Sequence, residues 1–149
     1  MTDADLPEGD ACCGTSGMTC VFSKALLARS AVCECAQRCS VGERELVQCV
    51  SPTARTNCTT LAALLHERAR FALRLPRPGQ PLIHAKALRL QCGGVVALQA
   101  SLGAERADVH RLVGVAHERY GSLTELPWAA IVDGLLNWQP RRRRRAELG

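Results

Sequence analysis

The sequence predicts a mainly α fold, a small helical domain with an irregular Cys-rich N-terminal lobe. Hydrophobic residues make up 47% of the 149 residues, so the chain is able to bury a core of one-domain size. Aromatic residues make up only 3%, so this core rests on Leu, Val and Ala, which favour helices over a β-sandwich. Several segments also repeat apolar residues at three- and four-residue steps, the spacing of one helix face.

The helices of the first half are predicted from apolar stripes and their end signals. An apolar stripe over residues 18–29 predicts a first helix. Residues 42–50 are expected to form a short helix or a turn. The next stripe predicts a longer helix capped by Thr59 or Thr60, and the Pro-rich segment 76–81 ends it.

Residues 82–102 leave two alternatives open, because short apolar runs have no decisive periodicity. Gly93-Gly94 suits the turn of a short β-hairpin between residues 87–92 and 95–98. Two short buried helices flanking the glycines are the alternative. We favour the helices, because the neighbouring segments are helical and Ala and Leu dominate.

The C-terminal part predicts two further helices. The stripe over Ala104–Tyr120 predicts the first, and Gly121 suits its C-terminal cap. Ser122 and Glu125 have the spacing of a capping box for the second helix. Pro140 ends that helix before a run of arginines.

The domain organisation follows from the absence of any Gly-, Ser- or Pro-rich linker, which predicts a single domain over residues 1–149. Within it we distinguish an acidic N-terminus at 1–11 and a Cys-rich metal-binding lobe at 12–58. A helical scaffold at 59–139 and a basic tail at 140–149 follow.

The cellular compartment is predicted to be the cytoplasm. The first ten residues are acidic and polar, whereas a secretory signal begins with basic residues and an apolar run. The apolar stretches are too short and interrupted to span a bilayer, so no membrane association is expected. In a reducing compartment, clustered cysteines indicate metal or redox chemistry before structural disulfides.

Cysteine is the residue type on which the functional prediction depends. The chain has nine cysteines, and eight of them lie between residues 12 and 58. Thiolates bind soft and borderline metals when several of them converge on one point. The candidate ligands in this span are Cys12, Cys13, Cys20, Cys33, Cys35, Cys39, Cys49 and Cys58, and Cys92 lies far from them.

The tightest group has the pattern C-x-C-x3-C and consists of Cys33, Cys35 and Cys39. In a helix, Cys35 and Cys39 share a face and Cys33 points elsewhere. In a loop, all three sulfurs converge, and flanking segments then close the site. The cofactor-binding residues are therefore predicted to be Cys33, Cys35, Cys39 and Cys49, followed by Cys20 and Cys58.

The remaining cysteines are weaker candidates. The side chains of Cys12 and Cys13 diverge because they are adjacent, so one is expected to bind metal while the other packs. Cys92 is predicted to be a buried thiol rather than a ligand.

The metal predicted from this pattern is an iron–sulfur cluster of the 4Fe-4S type, with zinc as the alternative. The sequence has no C-x2-C pair, which disfavours a structural zinc site built from two knuckles. The ferredoxin run C-x2-C-x2-C-x3-C-P is missing as well, so the prediction rests on cysteine density. Eight cysteines suffice for one cluster with spare thiols or for two clusters.

The function predicted from these residues is that of a small metalloprotein with an electron-transfer or accessory role and a redox partner protein. The sequence has no Walker loop, no G-x-G-x-x-G and no G-x-S-x-G, so an independent enzyme is not expected. One alternative is a zinc-stabilised module that binds an anionic partner or, as a subsidiary case, nucleic acid. Another is a metal-free thiol redox switch. The residues available to an anionic partner are Arg141, Arg142, Arg143, Arg144 and Arg145.

Overall fold

The structure, a computed structural model, describes residues 18–140 and confirms the mainly α fold class. In chain order it contains α1 (Ser23–Leu27), β1 (Ala36–Val41), β2 (Arg44–Cys49), α2 (Pro52–Leu73), α3 (His84–Leu88), a π-helix (Arg89–Gly93), α4 (Gly94–Leu102), α5 (Val109–Tyr120), a 3-10 turn (Leu123–Glu125) and α6 (Trp128–Asn137). The predictions for the acidic N-terminus, for Cys12 and Cys13 and for the arginine tail lie outside the described residues. Within 18–140, no helix combines the length and apolarity needed to cross a bilayer.

The Cys-rich half contains a β-hairpin where the sequence suggested a short helix or turn. β1 and β2 pair antiparallel, with Ala36 opposite Cys49 at one end and Val41 opposite Arg44 at the other. Gly42 begins the two-residue turn between them with φ +63°. A positive φ costs little conformational energy for glycine, and in a two-residue turn it matches the twist of the paired strands. The helix or turn predicted for residues 42–50 is therefore wrong.

Helix α2 begins earlier than predicted. The Ser51 side chain caps it by accepting a hydrogen bond from the Ala54 N–H at 3.1 Å, and Pro52 occupies the first turn. The predicted caps Thr59 and Thr60 lie inside the helix, and their hydroxyls donate to carbonyls one turn back at 2.8 and 3.3 Å. A Ser-Pro pair thus provides a stronger start signal than the two threonines.

Residues 84–102 form one helical run of α3, the π-helix and α4, so the helical alternative is confirmed and the hairpin at Gly93-Gly94 is absent. Both glycines lie where helices approach closely. A Cβ at Gly94 would lie 2.8 Å from a methyl of Leu65, and one at Gly93 would lie 3.1 Å from Cβ of Trp138. These glycines therefore mark close packing rather than a turn.

The last helices follow the predicted order with different starts. Asp108 caps α5 through its carboxylate, which accepts from the Arg111 N–H at 3.2 Å, so this helix begins at Val109. Ser122 caps only the short 3-10 turn, accepting from the Thr124 N–H at 3.2 Å. Helix α6 starts after that turn, at Trp128.

A single hydrophobic cluster joins the Cys-rich half to the helices. It includes Phe22 and Val47 from the first half together with Leu112, Ile131 and Leu135 from the second. Helix α2 packs against both α5 and α6, while α1 packs against β2 and the π-helix. The cysteine-bearing segments are thus held against the helical part by a shared core.

Candidate metal centre

Five free cysteines line one pocket at the junction of the hairpin and helices α1, α2 and α5. Four different segments of the chain supply these five cysteines. Cys20 precedes α1, Cys33 and Cys35 lie in the loop before β1, Cys49 ends β2, and Cys58 lies in the first half of α2. The pocket thus gathers thiols that are well separated along the chain.

Backbone pairing places Cys20 and Cys35 beside Cys49. The Cys20 N–H donates to the carbonyl of Val47 at 3.0 Å, and the Cys49 N–H donates to the carbonyl of Met18 at 2.9 Å. On the other edge of β2, the N–H that follows Cys49 donates to the Cys35 carbonyl at 2.9 Å. Strand β2 is therefore flanked by both cysteine-bearing segments near its end.

Helix α2 adds Cys58 from above the hairpin. Ala54 and Cys58 are four residues apart, so they share one helix face, and both line the pocket. Arg55 fixes this end of the helix by donating from Nε to the carbonyl of Thr19 at 2.9 Å. The Cys58 side chain is buried, in contrast to the partly exposed thiols of the loop.

The thiols are close enough to influence one another electrostatically. Every pair among Cys20, Cys33, Cys49 and Cys58 interacts, and Cys35 interacts with three of these four. Burial, with a smaller contribution from the neighbouring thiols, raises the pKa of Cys58 to about 12. Burial also raises the pKa of Cys20, to about 11. Without a cation, the pocket therefore keeps these two thiols protonated at neutral pH.

Backbone N–H groups are aimed at two of the sulfurs. The N–H of Phe22 reaches the sulfur of Cys20, and the N–H groups of Cys35 and His110 reach the sulfur of Cys33. Each of these bonds lowers the pKa of the thiol that accepts it, although burial has the larger effect and raises the pKa of Cys33 overall. Hydrogen bonds of this kind stabilise thiolates bound to a metal.

Apart from Arg55, the remaining wall of the pocket is apolar. Val21, Phe22, Ala36, Ala54 and Val109 supply it. Apolar walls exclude water, which strengthens the attraction between a bound cation and thiolates. The apolar wall therefore disfavours free thiolates that no cation neutralises.

The donor set fits a thiolate-bound metal, but the side chains are not arranged for a single ion. Across residues 18–140, no three Cys, His, Asp or Glu side chains are grouped so that they could hold one metal ion. Thiolates around one tetrahedral zinc lie about 3.8 Å apart, given Zn–S bonds of about 2.3 Å. Each cysteine of a 4Fe-4S cluster binds a different iron, so the sulfurs of such a cluster lie farther apart.

The free space between the side chains is small. It measures about 10 Å³, close to the volume that one water molecule needs. A cluster would therefore require the thiols to rotate about their Cα–Cβ bonds and turn outward. Rotation of this kind is feasible for Cys35, Cys33 and Cys20, because these side chains are only partly buried.

Cys39, a predicted ligand, and Cys92, a weaker candidate, do not line this pocket. Cys39 lies in β1, is buried and is disulfide-bonded, so it is not one of the free thiols. The extended strand carries it about 13 Å beyond Cys35. Cys92 is fully buried in the π-helix, where its sulfur is hydrogen-bonded to the side chain of Ser30. Of the C-x-C-x3-C group, the structure brings only Cys33 and Cys35 to the pocket.

No protein-family model, curated protein or solved structure matches the chain. The function is therefore inferred from the pocket alone.

A larger depression of about 600 Å³ is lined by Asp108, the residue before Val109 of the thiol pocket. It runs along α5 and is lined by side chains of both charges, among them Glu105, Arg106 and Glu118. It is open and contains no cysteine. We therefore place the chemistry in the smaller pocket, where the thiols meet.

Proposed function

We propose that the chain binds an iron–sulfur cluster of the 4Fe-4S type and serves as an electron-transfer or accessory protein. The proposed ligands are Cys20, Cys33, Cys49 and Cys58. The observation that carries the proposal is that these four free thiols, from four segments, line one apolar pocket and interact pairwise. Four thiolates are the usual ligand set of such a cluster.

Cys35 is left out of the ligand set because it does not interact with Cys20, whereas the other four thiols interact with one another in every pair. Burial raises its pKa, and the carboxylates of Glu34 and Asp108 raise it further. No backbone N–H is among the groups that influence its pKa, in contrast to Cys20 and Cys33. We assign it the role of a fifth, unligated thiol at the edge of the pocket.

A cluster is favoured over zinc by the number of thiols that line the pocket and by the absence of a C-x2-C pair. Zinc remains the second candidate because the free space of about 10 Å³ suits a single atom better than a cluster. A metal-free thiol switch is disfavoured, because reactive thiols have lowered pKa values and those of Cys20 and Cys58 are raised to about 11 and 12.

A bound cluster would accept and donate single electrons. The chain's own contribution would be to hold the sulfurs, exclude water through Phe22 and Val109, and donate N–H groups to the sulfurs of Cys20 and Cys33. Such N–H donors stabilise added negative charge and so raise a cluster's reduction potential. Asp108, close to Cys33, acts in the opposite direction.

The pocket approaches the surface beside Cys35, where a redox partner would dock. Val32 and Val50 flank this point and are 41% and 60% exposed. The Val50 N–H bonds the Cys35 carbonyl, so its side chain stays at the pocket edge. Exposed apolar side chains around a buried redox centre are a suitable contact for a partner protein.

The proposal is tested by purifying the full-length protein anaerobically and measuring iron, acid-labile sulfide and zinc. We expect a brown protein with about four iron and four sulfide atoms per chain. Stoichiometric zinc without sulfide would replace the cluster with the second candidate. A folded protein that binds neither metal would refute both.

A matched pair of buried cysteines tests the ligand assignment. Cys58→Ser removes a proposed ligand, whereas Cys92→Ser places the same substitution at a buried site outside the pocket. We expect the first variant to lose most of its iron and the second to keep it. Cys35→Ser should also keep it, and equal iron loss in Cys35→Ser and Cys58→Ser would contradict the proposed ligand set.

A further inference from the structure

A long segment of the helical half carries only positive charge. Residues 68–104 contain no Asp or Glu, and their six cations are Arg68, Arg70, Arg74, Arg77, Lys86 and Arg89. The ion pairs found within residues 18–140 include none of these six side chains. These charges are therefore not neutralised by ion pairs with carboxylates, and they give the segment a positive field that attracts an anionic partner.

Several of these cations lie on one continuous surface. The Lys86 ammonium donates to the carbonyl of Arg74 at 3.0 Å, which joins the start of the 84–102 helical run to the end of α2. Lys24 of α1 extends the surface, since its ammonium lies 3.5 Å from Nδ1 of His84. We call the surface formed by Lys24, Arg70, Phe71, Arg74, His84 and Lys86 the basic face.

Phe71 is exposed in the middle of this face. It is 88% exposed, whereas the other phenylalanine, Phe22, is 1% exposed. The guanidinium of Arg70 lies over the Phe71 ring, 5.6 Å from its centroid. Covering this ring would recover roughly 2 kcal/mol of burial, so the ring is available to a partner.

We propose that the basic face binds single-stranded nucleic acid, with phosphates at Arg70, Arg74 and Lys86 and a base stacked on Phe71. Cations beside an exposed aromatic ring are the combination by which proteins hold single strands. The guanidinium groups of Arg70 and Arg74 can pair with phosphate oxygens through two parallel hydrogen bonds. This activity is independent of the thiol pocket, whose lining includes none of the six residues.

Two other anionic partners fit less well. An acidic protein would match the charge but would give the aromatic ring no specific role. A lipid surface needs a wider apolar area than this face offers, where Phe71 and Ile83 are the exposed large apolar side chains. Replacing the aromatic ring at position 71 should therefore affect nucleic acid, an acidic protein and a lipid surface differently.

The proposal is tested by fluorescence anisotropy with a labelled oligothymidylate of about 16 nucleotides, the upper range of a single binding site. All proteins are full length and carry the same arginine tail, so only differences between variants are interpreted. We expect Phe71→Leu to weaken binding by about fivefold or more, the effect of losing one stacked base. Leucine keeps most of the apolar volume, and because Phe71 is 88% exposed its replacement removes almost no packing that the fold depends on.

Charge is tested with Arg74→Ala and the control Arg44→Ala, which removes an exposed arginine from the start of β2. The slope of log affinity against log salt should fall by about 0.7 for Arg74→Ala and should not change for the control. Equal effects of the two arginine variants would show a non-specific effect of net charge and overturn the proposal.

Parallel titrations with polyglutamate and with vesicles of mixed neutral and anionic phospholipid test the other partners. We expect polyglutamate to bind more weakly than the oligonucleotide and to be insensitive to Phe71→Leu. Binding of the oligonucleotide that is unchanged in Phe71→Leu would refute base stacking. Binding to vesicles without binding to the oligonucleotide would assign the face to a lipid surface instead.

Discussion

Two glycines in the middle of helices provide a matched test of how closely α4 and α6 pack. A Cβ added at Gly134 in α6 would lie 3.0 Å from Cβ of Ala97 in α4. A Cβ added at Gly114 in α5 would meet no atom within 4 Å. Carbon atoms pack best at about 3.5–4.0 Å, and the Cβ of alanine cannot rotate away, so the two helices must separate by roughly 0.5–1 Å in Gly134→Ala.

The two substitutions share one favourable effect and differ in one unfavourable effect. Replacing glycine by alanine inside a helix stabilises the fold by about 1 kcal/mol in both variants. Overpacking at Gly134 costs about 1–3 kcal/mol, and Gly114 has no such cost. The difference in free energy of unfolding between the variants should therefore equal the packing cost, because the propensity gain cancels.

The assay is thermal unfolding followed by circular dichroism. For a chain of 149 residues, 1 kcal/mol corresponds to roughly 3 °C in Tm. We expect Gly114→Ala to raise Tm by about 3 °C and the Gly134→Ala protein to melt about 3–9 °C below it. Equal increases in both variants would show that α4 and α6 are not in close contact at this point.

Three further predictions follow from the core, a helix cap and the pocket. Leu112 is 1% exposed, and burying an unpaired polar group costs at least about 2 kcal/mol, so Leu112→Asp should abolish cooperative unfolding. The control Arg111→Ala should leave Tm nearly unchanged. Asp108→Ala should lower stability by about 1 kcal/mol in denaturant titrations, because the Arg111 N–H loses its cap. The pKa of Cys58 is raised to about 12, so in the metal-free protein its alkylation by iodoacetamide should be slow. The rate, followed by mass spectrometry, should rise about tenfold per pH unit from pH 7 to 9, because the thiolate fraction rises in that proportion. A rate that does not depend on pH would contradict the raised pKa.

The helices could largely be predicted from the sequence, but the hairpin could not. Helix α5 carries a long apolar stripe between its N-cap Asp108 and its C-cap Gly121. Its buried face was therefore predictable, although its first residue was not. In β2, only Val47 and Gln48 are buried, which leaves no clean alternation of polar and apolar residues. The hairpin depends on the positive φ of Gly42 and on backbone pairing of β2 with residues 18–20. Neither feature produces a periodic pattern of apolar residues in the sequence.

The candidate site was predictable as a region but not as a ligand set. Cysteine density alone indicated residues 12–58, and five of the predicted ligands line the pocket. The spacing of the cysteines could not show that Cys35 lines the pocket and Cys39 does not, because that depends on where the loop ends and β1 begins. A strand starting at Ala36 carries Cys39 away from the loop, and a helix or loop there would have kept the two sulfurs closer.

The contribution of α5 to the site shows why the helical half is more than a scaffold. Its first turn supplies the His110 N–H that bonds the sulfur of Cys33. A short parallel bridge holds this turn against the cysteine loop, with the Val32 N–H bonded to the Ala107 carbonyl at 2.9 Å and the Val109 N–H bonded to the Val32 carbonyl at 2.8 Å. Because a pair of backbone bonds carries no side-chain signature, no pattern in either segment predicts it. It follows that loss of helix α5 would remove an N–H donor and one apolar wall from the thiol pocket together, so metal binding should depend on the folding of residues that contain no cysteine.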